Sequence, residues 1–261
     1  MNKKILSFFI CVSFLLLNVV SSASDSVMNY AYFEELKNLK IVNCYENGSF
    51  LPEKNITRAE FCKMVSKMLC IVEGEIEINC EVFSDVPLHH WANEYITFCY
   101  INDLVNGIVK GDKVFFVTTE KGKETAIDNL EINESLKNKY SVSENVAESI
   151  FDPDGYVTIQ DAVKMLVIAL GYEPLAELNG KYPNGYLHVA KEVGLIGSGI
   201  SGTNHLTRGE AVEVIYKALH MPLFLSRESD TQISYYVADG KDGNQYLTLY
   251  SKLFLNNTIN N

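Results

Sequence analysis

The sequence has a single tryptophan, little positive charge and few long apolar runs. The last two shortages each exclude a class of protein. Its 261 residues include 22 basic and 33 acidic side chains. Nucleic-acid binding requires a basic stripe, and the sequence contains none. Beyond the N-terminus, no stretch is long and apolar enough to span a bilayer. We therefore expect no nucleic-acid partner and no membrane partner for the processed chain.

Motifs for catalysis and metal binding are also missing. The sequence has no GxSxG, no HExxH and no recognisable Cys–His arrangement. It has no CxxC spacing for structural zinc, and the string at 152–155, DPDG, lacks the remaining ligands of an EF-hand. We predict that the chain is not an enzyme, and that it has neither a cofactor nor a metal site.

The N-terminus has the pattern of a secretory signal peptide over residues 1–23. Lys3 and Lys4 precede an apolar run from Ile5 to Val20, and Ser21-Ser22-Ala23 forms a plausible cleavage site. A retained membrane anchor is less favoured because the apolar run is short. A lipoprotein is also disfavoured, because Cys11 lies inside the run rather than after a lipobox. Cleavage would leave 20 basic and 33 acidic residues in an exported, soluble chain.

The cysteine count predicts at least one thiol outside any intrachain disulfide. Five cysteines remain after cleavage: Cys44, Cys62, Cys70, Cys80 and Cys99. Cys62 and Cys70 are more than two turns apart on a predicted helix, which is too far for a bond between them. We favour thiols that are mostly reduced and partly buried.

One helix start occurs three times. Each copy has an apolar residue, a threonine (Thr57, Thr158 or Thr207) and an acidic residue three positions later (Glu60, Asp161 or Glu210). This is the spacing of an N-terminal capping box, in which the oxygens of the two side chains accept hydrogen bonds from backbone amides that otherwise lack a partner. Apolar residues follow at helical spacing in each copy, which predicts a buried stripe: Phe61, Met64, Val65, Met68 and Leu69; Ala162, Met165, Leu166, Ala169 and Leu170; Val212, Ile215, Tyr216 and Leu219. A repeat architecture follows.

Each copy is preceded by an amphipathic helix and a turn rich in Gly or Asn. The segment from Phe83, FSDVPLHHWANEYI, followed by a loop and a helix of the type ITRAEF, resembles the S-layer homology (SLH) repeat of bacterial cell-surface proteins. The resemblance covers roughly residues 30–222. It divides the chain into repeat 1 at 30–72, repeat 2 at 83–172 and repeat 3 at 180–222.

The resemblance implies a mainly α fold. Three helix-loop-helix repeats would form a pseudo-threefold bundle of capped helices, from which the helix-loop arms project as prongs. Ligand would bind in the grooves between prongs. Residues 223–261 read as a small C-terminal β-hairpin extension around a Gly-Asp-rich turn, and we expect it to pack against repeat 3.

Repeat 2 carries an insertion at about 110–150. Val105 lies 53 residues before its threonine, whereas the corresponding distances are 15 residues in repeat 1 and 11 in repeat 3. The string KVFFVTT predicts a strand, and the rest predicts a surface excursion such as a hairpin with a mobile or partly helical arm. A tolerated insertion is the favoured interpretation, and a partner site is the alternative.

The resemblance also implies which residues bind. The arginine after the capping threonine, here Arg58 or Arg208, would lie near a groove and hold an anionic, pyruvylated-type secondary cell-wall polysaccharide. A guanidinium fork suits a carboxylate. The alternative is that each arginine pairs with Glu60 or Glu210 or faces solvent. Repeat 2 has Ile159 at this position, so its groove has lost the cation.

The remaining candidate ligand-binding residues are Glu60, Glu210, Asp85 and Trp91. Trp91 could stack on a sugar ring or pack in the core, and we favour packing. Asp85 and the neighbouring His90 could cap a helix or contact ligand, and we favour capping for Asp85.

These features predict a secreted, Gram-positive-type surface protein that attaches non-covalently to the cell wall through an anionic polysaccharide. Other surface-layer proteins are possible partners. The alternative is a protein-interaction module that keeps the fold without binding glycan.

Overall fold

The structure is a computed structural model that describes residues 30–69, 81–110, 115–118, 124–127, 141–144, 148–229, 232–241 and 245–252. The predicted signal peptide lies outside these ranges, as do Cys70 and Cys80. Within them, no helix has both the length and the apolar character needed to cross a membrane. The chain divides into two compact units, residues 1–50 and 51–261.

The described part of the first unit begins with helix α1 at residues 30–38. Phe33 stacks on Phe50 with 4.0 Å between ring centroids. Leu36 and Ile41 are buried, and the Ile41 amide donates to the Leu36 carbonyl as the helix ends. Residues 30–50, the described part of this unit, therefore form one helix with a folded-back turn.

The second unit is mainly helical, and it has a C-terminal hairpin of residues 224–229 and 232–237, but both strands precede the Gly-Asp-rich segment that was predicted as the turn. Its helices are α2 (Arg58–Met68), α3 (Asn93–Ile101), α4 (Ile159–Ala169), α5 (Glu173–Leu178), α6 (Asn184–Glu192), α7 (Arg208–His220) and a turn, α8, at residues 249–252. Its strands are β1 (Ile108–Lys110), β2 (Phe115–Thr118), β3 (Glu124–Ile127), β4 (Ser141–Glu144), β5 (Glu148–Ile150), β6 (Phe224–Ser229) and β7 (Gln232–Val237). Helix α2 packs against α3, and α4 packs against α6.

Helices α2, α4 and α7 begin at the three predicted capping threonines. The threonine hydroxyl accepts from the backbone amide three residues later, at 3.1 Å in α2 and 3.3 Å in α4 and α7. The reciprocal bond from the threonine amide to the acidic side chain forms in α2 and α7. In α4 only the hydroxyl half of the box is present.

The segments before these helices form a closed ring of backbone hydrogen bonds. The Ile56 amide donates to the Leu206 carbonyl, the Leu206 amide to the Val157 carbonyl, and the Val157 amide to the Ile56 carbonyl, at 3.0 to 3.2 Å. These three residues are the apolar residues that precede the three threonines, and all are buried. Each helix start is therefore held by the other two.

The ring continues into the first turn of each helix. The first amide of each helix, at Arg58, Ile159 or Arg208, donates to a carbonyl in the turn of another copy, at 2.8 or 2.9 Å. The second amide does the same, for example from Gly209 to the Pro52 carbonyl at 2.8 Å. These donors have no intrahelical acceptor, so the ring satisfies groups that would otherwise be orphaned.

The predicted apolar stripes form the core. The stripe residues are buried, except Leu69, Ala169 and Tyr216, which are half-buried. Ala59, Phe61, Val65, Leu166, Val212 and Ile215 are almost completely inaccessible. Helix α2 contacts both α4 and α7, so the three stripes meet.

The insertion leaves and rejoins the fold through a two-stranded stem. Strand β1 pairs antiparallel with β5, which brings Lys110 opposite Glu148. Strand β2 lies within the predicted strand, and it pairs with β3 in a hairpin and with β4 on its other side. The predicted helical part of the arm lies outside the described residues. A closed stem explains how the insertion leaves the surrounding repeat intact.

The C-terminal extension packs against the ends of two helices. Phe224 stacks on Tyr172, just after α4, at 5.1 Å, and its amide donates to the Leu170 carbonyl at 2.9 Å. Tyr250 lies 4.5 Å from His220 at the end of α7. The prediction that the extension packs near the end of α7 is thus incomplete, because the end of α4 provides a second contact.

The extension also contains a second backbone ring. The Leu223 amide donates to the Leu247 carbonyl, the Leu247 amide to the Ala238 carbonyl and the Ala238 amide to the Leu223 carbonyl. Thr248 then caps α8 by exchanging hydrogen bonds with Ser251 at 3.0 and 3.1 Å. The pattern of apolar residue, threonine and N3 partner therefore occurs a fourth time.

Candidate functional site

Arg58 lies at the first position of α2 and reaches the loop that precedes α4. Its Nε donates to the Phe151 carbonyl at 2.9 Å, and its guanidinium carbon lies 4.5 Å from the centre of the Phe151 ring. Its Nη1 lies 3.8 Å from Asp161 Oδ2. Because a guanidinium has five N–H donors, these contacts leave donors for a ligand.

Asp161 joins side chains from all three copies. Its Oδ2 accepts from the Thr158 hydroxyl at 2.7 Å, and its Oδ1 accepts from the Tyr182 hydroxyl at 2.7 Å. Tyr182 directly precedes the start of α6, and its ring lies 5.8 Å from Lys164 Nζ. The acidic side chain therefore fixes both Arg58 and the aromatic ring on which a lysine lies.

A cavity of about 360 Å³ opens where these residues meet. Arg58, Asn106, Asp161, Lys164 and Tyr182 line it, together with an apolar wall that includes Phe151 and Met165. Two cations and one carboxylate give this lining a net positive charge, although the chain carries −11 overall. We call this site the Arg58 cavity.

The Tyr182 hydroxyl stays protonated at ordinary pH. Burial raises its pKa above the usual range, and the hydrogen bond and negative charge of Asp161 raise it further. The phenol is therefore a donor to Asp161 under physiological conditions, and it adds no negative charge to the cavity.

Gly107 allows the loop after α3 to approach the cavity closely. A Cβ at this position would overlap the Phe83 ring and the Ser149 hydroxyl. Phe83 itself packs against Phe151 at 5.3 Å and against Tyr100 at 5.5 Å. A larger residue would push the loop away from this aromatic cluster.

The side chains near Arg208 are at positions equivalent to those around Arg58, one copy further around the ring. Its Nη1 lies 3.8 Å from Glu60 Oε1, and its side chain is only 7% exposed, against 16% for Arg58. One turn along α2 from Glu60, Lys63 Nζ lies 5.8 Å from the ring of Trp91. Arg208, Glu60, Lys63 and Trp91 thus correspond to Arg58, Asp161, Lys164 and Tyr182.

The third position has different chemistry. Ile159 occupies the place of the two arginines, and Glu213 of α7 occupies the place of the two lysines. Glu213 pairs with Lys217 on its own helix at 2.6 Å. Glu210 accepts from the Thr207 amide at 2.8 Å and from the Thr207 hydroxyl at 2.9 Å, so it acts as a cap.

Two candidate residues have roles that the sequence did not assign. Trp91 is 52% exposed, so the favoured expectation that it packs in the core is wrong. Asp85 does not cap the neighbouring helix: its two oxygens accept from the Phe151 and Asp152 amides at 2.7 Å each. The expectation of capping is therefore also wrong, and Asp85 instead braces the loop behind Arg58.

Three residues of the Arg58 cavity were not among the predicted ligand-binding residues: Asp161, Lys164 and Tyr182. Their signal was in the alignment of the copies, since Lys164 aligns with Lys63 and Tyr182 with Trp91. The described residues contain no cluster of three or more His, Cys, Asp or Glu side chains placed to hold a metal ion.

Cys62 is among the residues that line the cavity, and the second buried thiol, Cys99, lies beside it. Cys62 follows Arg58 by one turn, and the Cys99 thiol lies 3.6 Å from the Cys62 carbonyl oxygen and 3.4 Å from the Ser66 hydroxyl. Burial, and then the contact with Cys99, raises the pKa of the Cys62 thiol well above its usual value. Cys44, Cys62 and Cys99 are all free thiols.

Comparison with known proteins gives a family match in the N-terminal part of the chain. Residues 22–62 match the S-layer homology domain. The chain is 25% identical over 201 residues to the middle cell wall protein of Brevibacillus brevis, a match that covers 77% of this chain and 15% of that protein. The chain therefore carries an S-layer homology domain.

Two further relatives have similar descriptions. A surface layer protein of Brevibacillus choshinensis is 24% identical, with 79% of this chain and 15% of that protein covered. A cell surface protein of Thermoanaerobacter kivui is 23% identical, with 71% of this chain and 19% of that protein covered. The chain thus spans less than a fifth of the length of these relatives.

Proposed function

We propose that this chain, which carries an S-layer homology domain, attaches non-covalently to the bacterial cell wall by binding an anionic secondary cell-wall polysaccharide in the Arg58 cavity. The chain is a cell-surface protein, as the family match and the descriptions of its relatives support. Those relatives are described as cell wall, surface layer and cell surface proteins, which favours anchoring over catalysis.

The local reversal of charge is the observation that carries the proposal. A cavity whose lining carries a net positive charge, in a chain of net charge −11, attracts an anionic ligand. Helix N-termini cannot provide the attraction here, because the first two amides of α2, α4 and α7 already donate to neighbouring turns. The side chains must therefore bind the anion.

We infer that Arg58 takes the carboxylate of the glycan, such as that of a pyruvyl group. The planar guanidinium can donate two parallel hydrogen bonds to a carboxylate. Lys164 adds a second positive charge, and the exposed face of Tyr182 offers a surface for a sugar ring. The apolar wall suits the carbon face of the same ring.

The three copies are proposed to form the pseudo-threefold bundle of S-layer homology repeats. The closed backbone ring and the meeting of α2, α4 and α7 support this arrangement. The proposed repeats are residues 30–72, 83–172 and 180–222, and the insertion at 110–150 is an addition to the second.

The copies are not proposed to bind equally. Arg208 is buried against Glu60 and serves mainly to hold the ring together, while Glu60 and Glu210 cap their helices. Trp91, beside Lys63, is proposed as a weaker, more open stacking site. Asp85 acts indirectly by fixing the Phe151 loop.

The test is sedimentation of the full chain with purified sacculi from a Gram-positive bacterium, before and after acid removal of the secondary polysaccharide. We expect binding to intact sacculi, loss on stripped sacculi and loss in Arg58→Ala. Ile159→Ala is the matched control, because it changes the same helix position in another copy. Circular dichroism verifies folding of each variant.

Binding that persists on stripped sacculi would contradict a glycan ligand. A folded chain that binds neither preparation would favour a protein-interaction module, with another surface-layer protein as its partner.

A further inference from the structure

The acidic residue of the second capping site differs from the other two by one methylene group. In α2 and α7 a glutamate reaches back to the threonine amide, at 3.0 Å for Glu60 and 2.8 Å for Glu210. In α4 the residue is Asp161, and the bond from the Thr158 amide is absent from the cap. Here the shorter side chain leaves the box half open, and its carboxylate accepts from the Thr158 and Tyr182 hydroxyls instead.

That carboxylate points into the Arg58 cavity. Its Oδ1 accepts from the Tyr182 hydroxyl at 2.7 Å, and its Oδ2 lies 3.8 Å from Arg58 Nη1. Tyr182 in turn provides the ring on which Lys164 lies. Asp161 thus contacts Arg58 and Tyr182 directly, and it connects to Lys164 through the Tyr182 ring.

We propose that Asp161 is a positioning residue for the ligand, and that an aspartate rather than a glutamate at this cap makes the Arg58 cavity the competent one of the three. This proposal rests on the proposed function. Asp161 acts through Arg58 and Tyr182, which it holds in the orientation that receives the carboxylate and the sugar ring. The cap of α4 lacks the bond from the threonine amide, and its carboxylate holds this orientation instead.

The charge balance of the cavity is consistent with this role. Asp161 neutralises one of two cations, which leaves a net charge of one to match a single carboxylate. The raised pKa of Tyr182 keeps its phenol a donor, so the contact with Asp161 persists across the physiological range. A misplaced binding group loses affinity even when its charge is retained.

Asp161→Glu separates positioning from charge. Glutamate keeps the negative charge and has the length that closes the box in α2 and α7, so it would turn towards the Thr158 amide and release Tyr182. We expect binding to intact sacculi to weaken by about tenfold while the unfolding temperature is unchanged or rises. Tyr182→Phe removes the same hydrogen bond without touching the cap and should weaken binding similarly.

The matched control is Glu210→Asp, which makes the reverse exchange at the cap of α7. It should lower the unfolding temperature and leave sacculus binding unchanged. A second readout needs no ligand: in Asp161→Glu, the phenolate absorbance assigned to Tyr182 by comparison with Tyr182→Phe should appear at lower pH than in the wild type.

Two failures are distinguishable. If Arg58→Ala abolishes binding while Asp161→Glu binds as the wild type does, the positioning role is overturned and the proposed function stands. If the folded wild type binds no intact sacculi, both proposals fall. An unchanged titration of Tyr182 in Asp161→Glu would likewise overturn the positioning role.

Discussion

The Arg58 cavity and the corresponding position at Ile159 have the same backbone arrangement but differ in their side chains. Arg58 and Ile159 both begin a threonine-capped helix, and both amides donate to the turn of another copy, at 2.8 and 2.9 Å. Around Arg58 the next capped helix contributes Lys164, whereas the helix after Ile159 contributes Glu213. The same scaffold therefore carries a cationic site in one place and none in the other.

The comparison teaches which positions maintain the fold and which are free to change. The ring needs an apolar residue, a threonine and backbone amides, and all three copies keep these. The side chains at the first helix position and at the lysine position are not part of the backbone ring, although Arg208 supports the ring through its ion pair with Glu60. They can consequently vary between copies, and that variation decides where a ligand binds.

The largest expected effect concerns Arg208, the arginine that is buried rather than open. Arg208→Ala should lower the free energy of unfolding by about 3 kcal/mol, because it removes one partner of a largely buried ion pair. Urea unfolding measures the loss. Lys217→Ala, in an exposed pair on the same helix, is the control and should cost less than about 1 kcal/mol. Equal losses would mean that Arg208 has no special structural role.

Arg58→Ala should have the next largest effect, on binding rather than stability. Titration with polysaccharide released from sacculi should show affinity reduced at least about tenfold, or about 1.4 kcal/mol. The same titration with Ile159→Ala should match the wild type. A similar loss in both variants would remove the distinction between the two positions.

The caps give a smaller contrast between copies. Thr57→Ala and Thr207→Ala should each cost about 1 kcal/mol of stability, since both disrupt a complete capping box. Thr158→Ala should cost less, because that box is already half open. Thermal unfolding of the three variants provides the ranking, and a larger loss at Thr158 would contradict the account of the caps.

Introducing the missing cation should have the smallest effect. Ile159→Arg restores an arginine opposite Glu210, yet Glu213 still stands where the other copies have lysine. We expect affinity for released polysaccharide to rise by no more than about twofold. A strong second site in this variant would show that arginine alone makes a groove competent.

The sequence predicted the parts of the fold that depend on local chemistry. The threonine caps and the apolar stripes follow from spacing, and each is present at the predicted residues, whereas the C-terminal hairpin forms earlier in the chain than predicted. The S-layer homology resemblance is supported by the family match over residues 22–62. The repeat boundaries and the ligand residues stay predictions.

The sequence did not predict contacts that depend on which copies become neighbours. Arg58 was expected to contact ligand, to pair with a glutamate or to face solvent, and its observed ion-pair neighbour, Asp161 of the next copy, was not foreseen. Trp91 and Asp85 were misjudged for the same reason, since burial and amide partners come from distant segments. The fourth cap at Thr248 has the same spacing as the other three. It was not predicted because its N3 residue is a serine rather than an acidic residue.

The most direct test of the central claim is the stoichiometry of binding, measured by calorimetric titration of the full chain with a short, purified fragment of the wall polysaccharide. The account predicts one strong site per chain, which disappears in Arg58→Ala and persists in Ile159→Ala. Three equal sites, or one site that survives in Arg58→Ala, would contradict it.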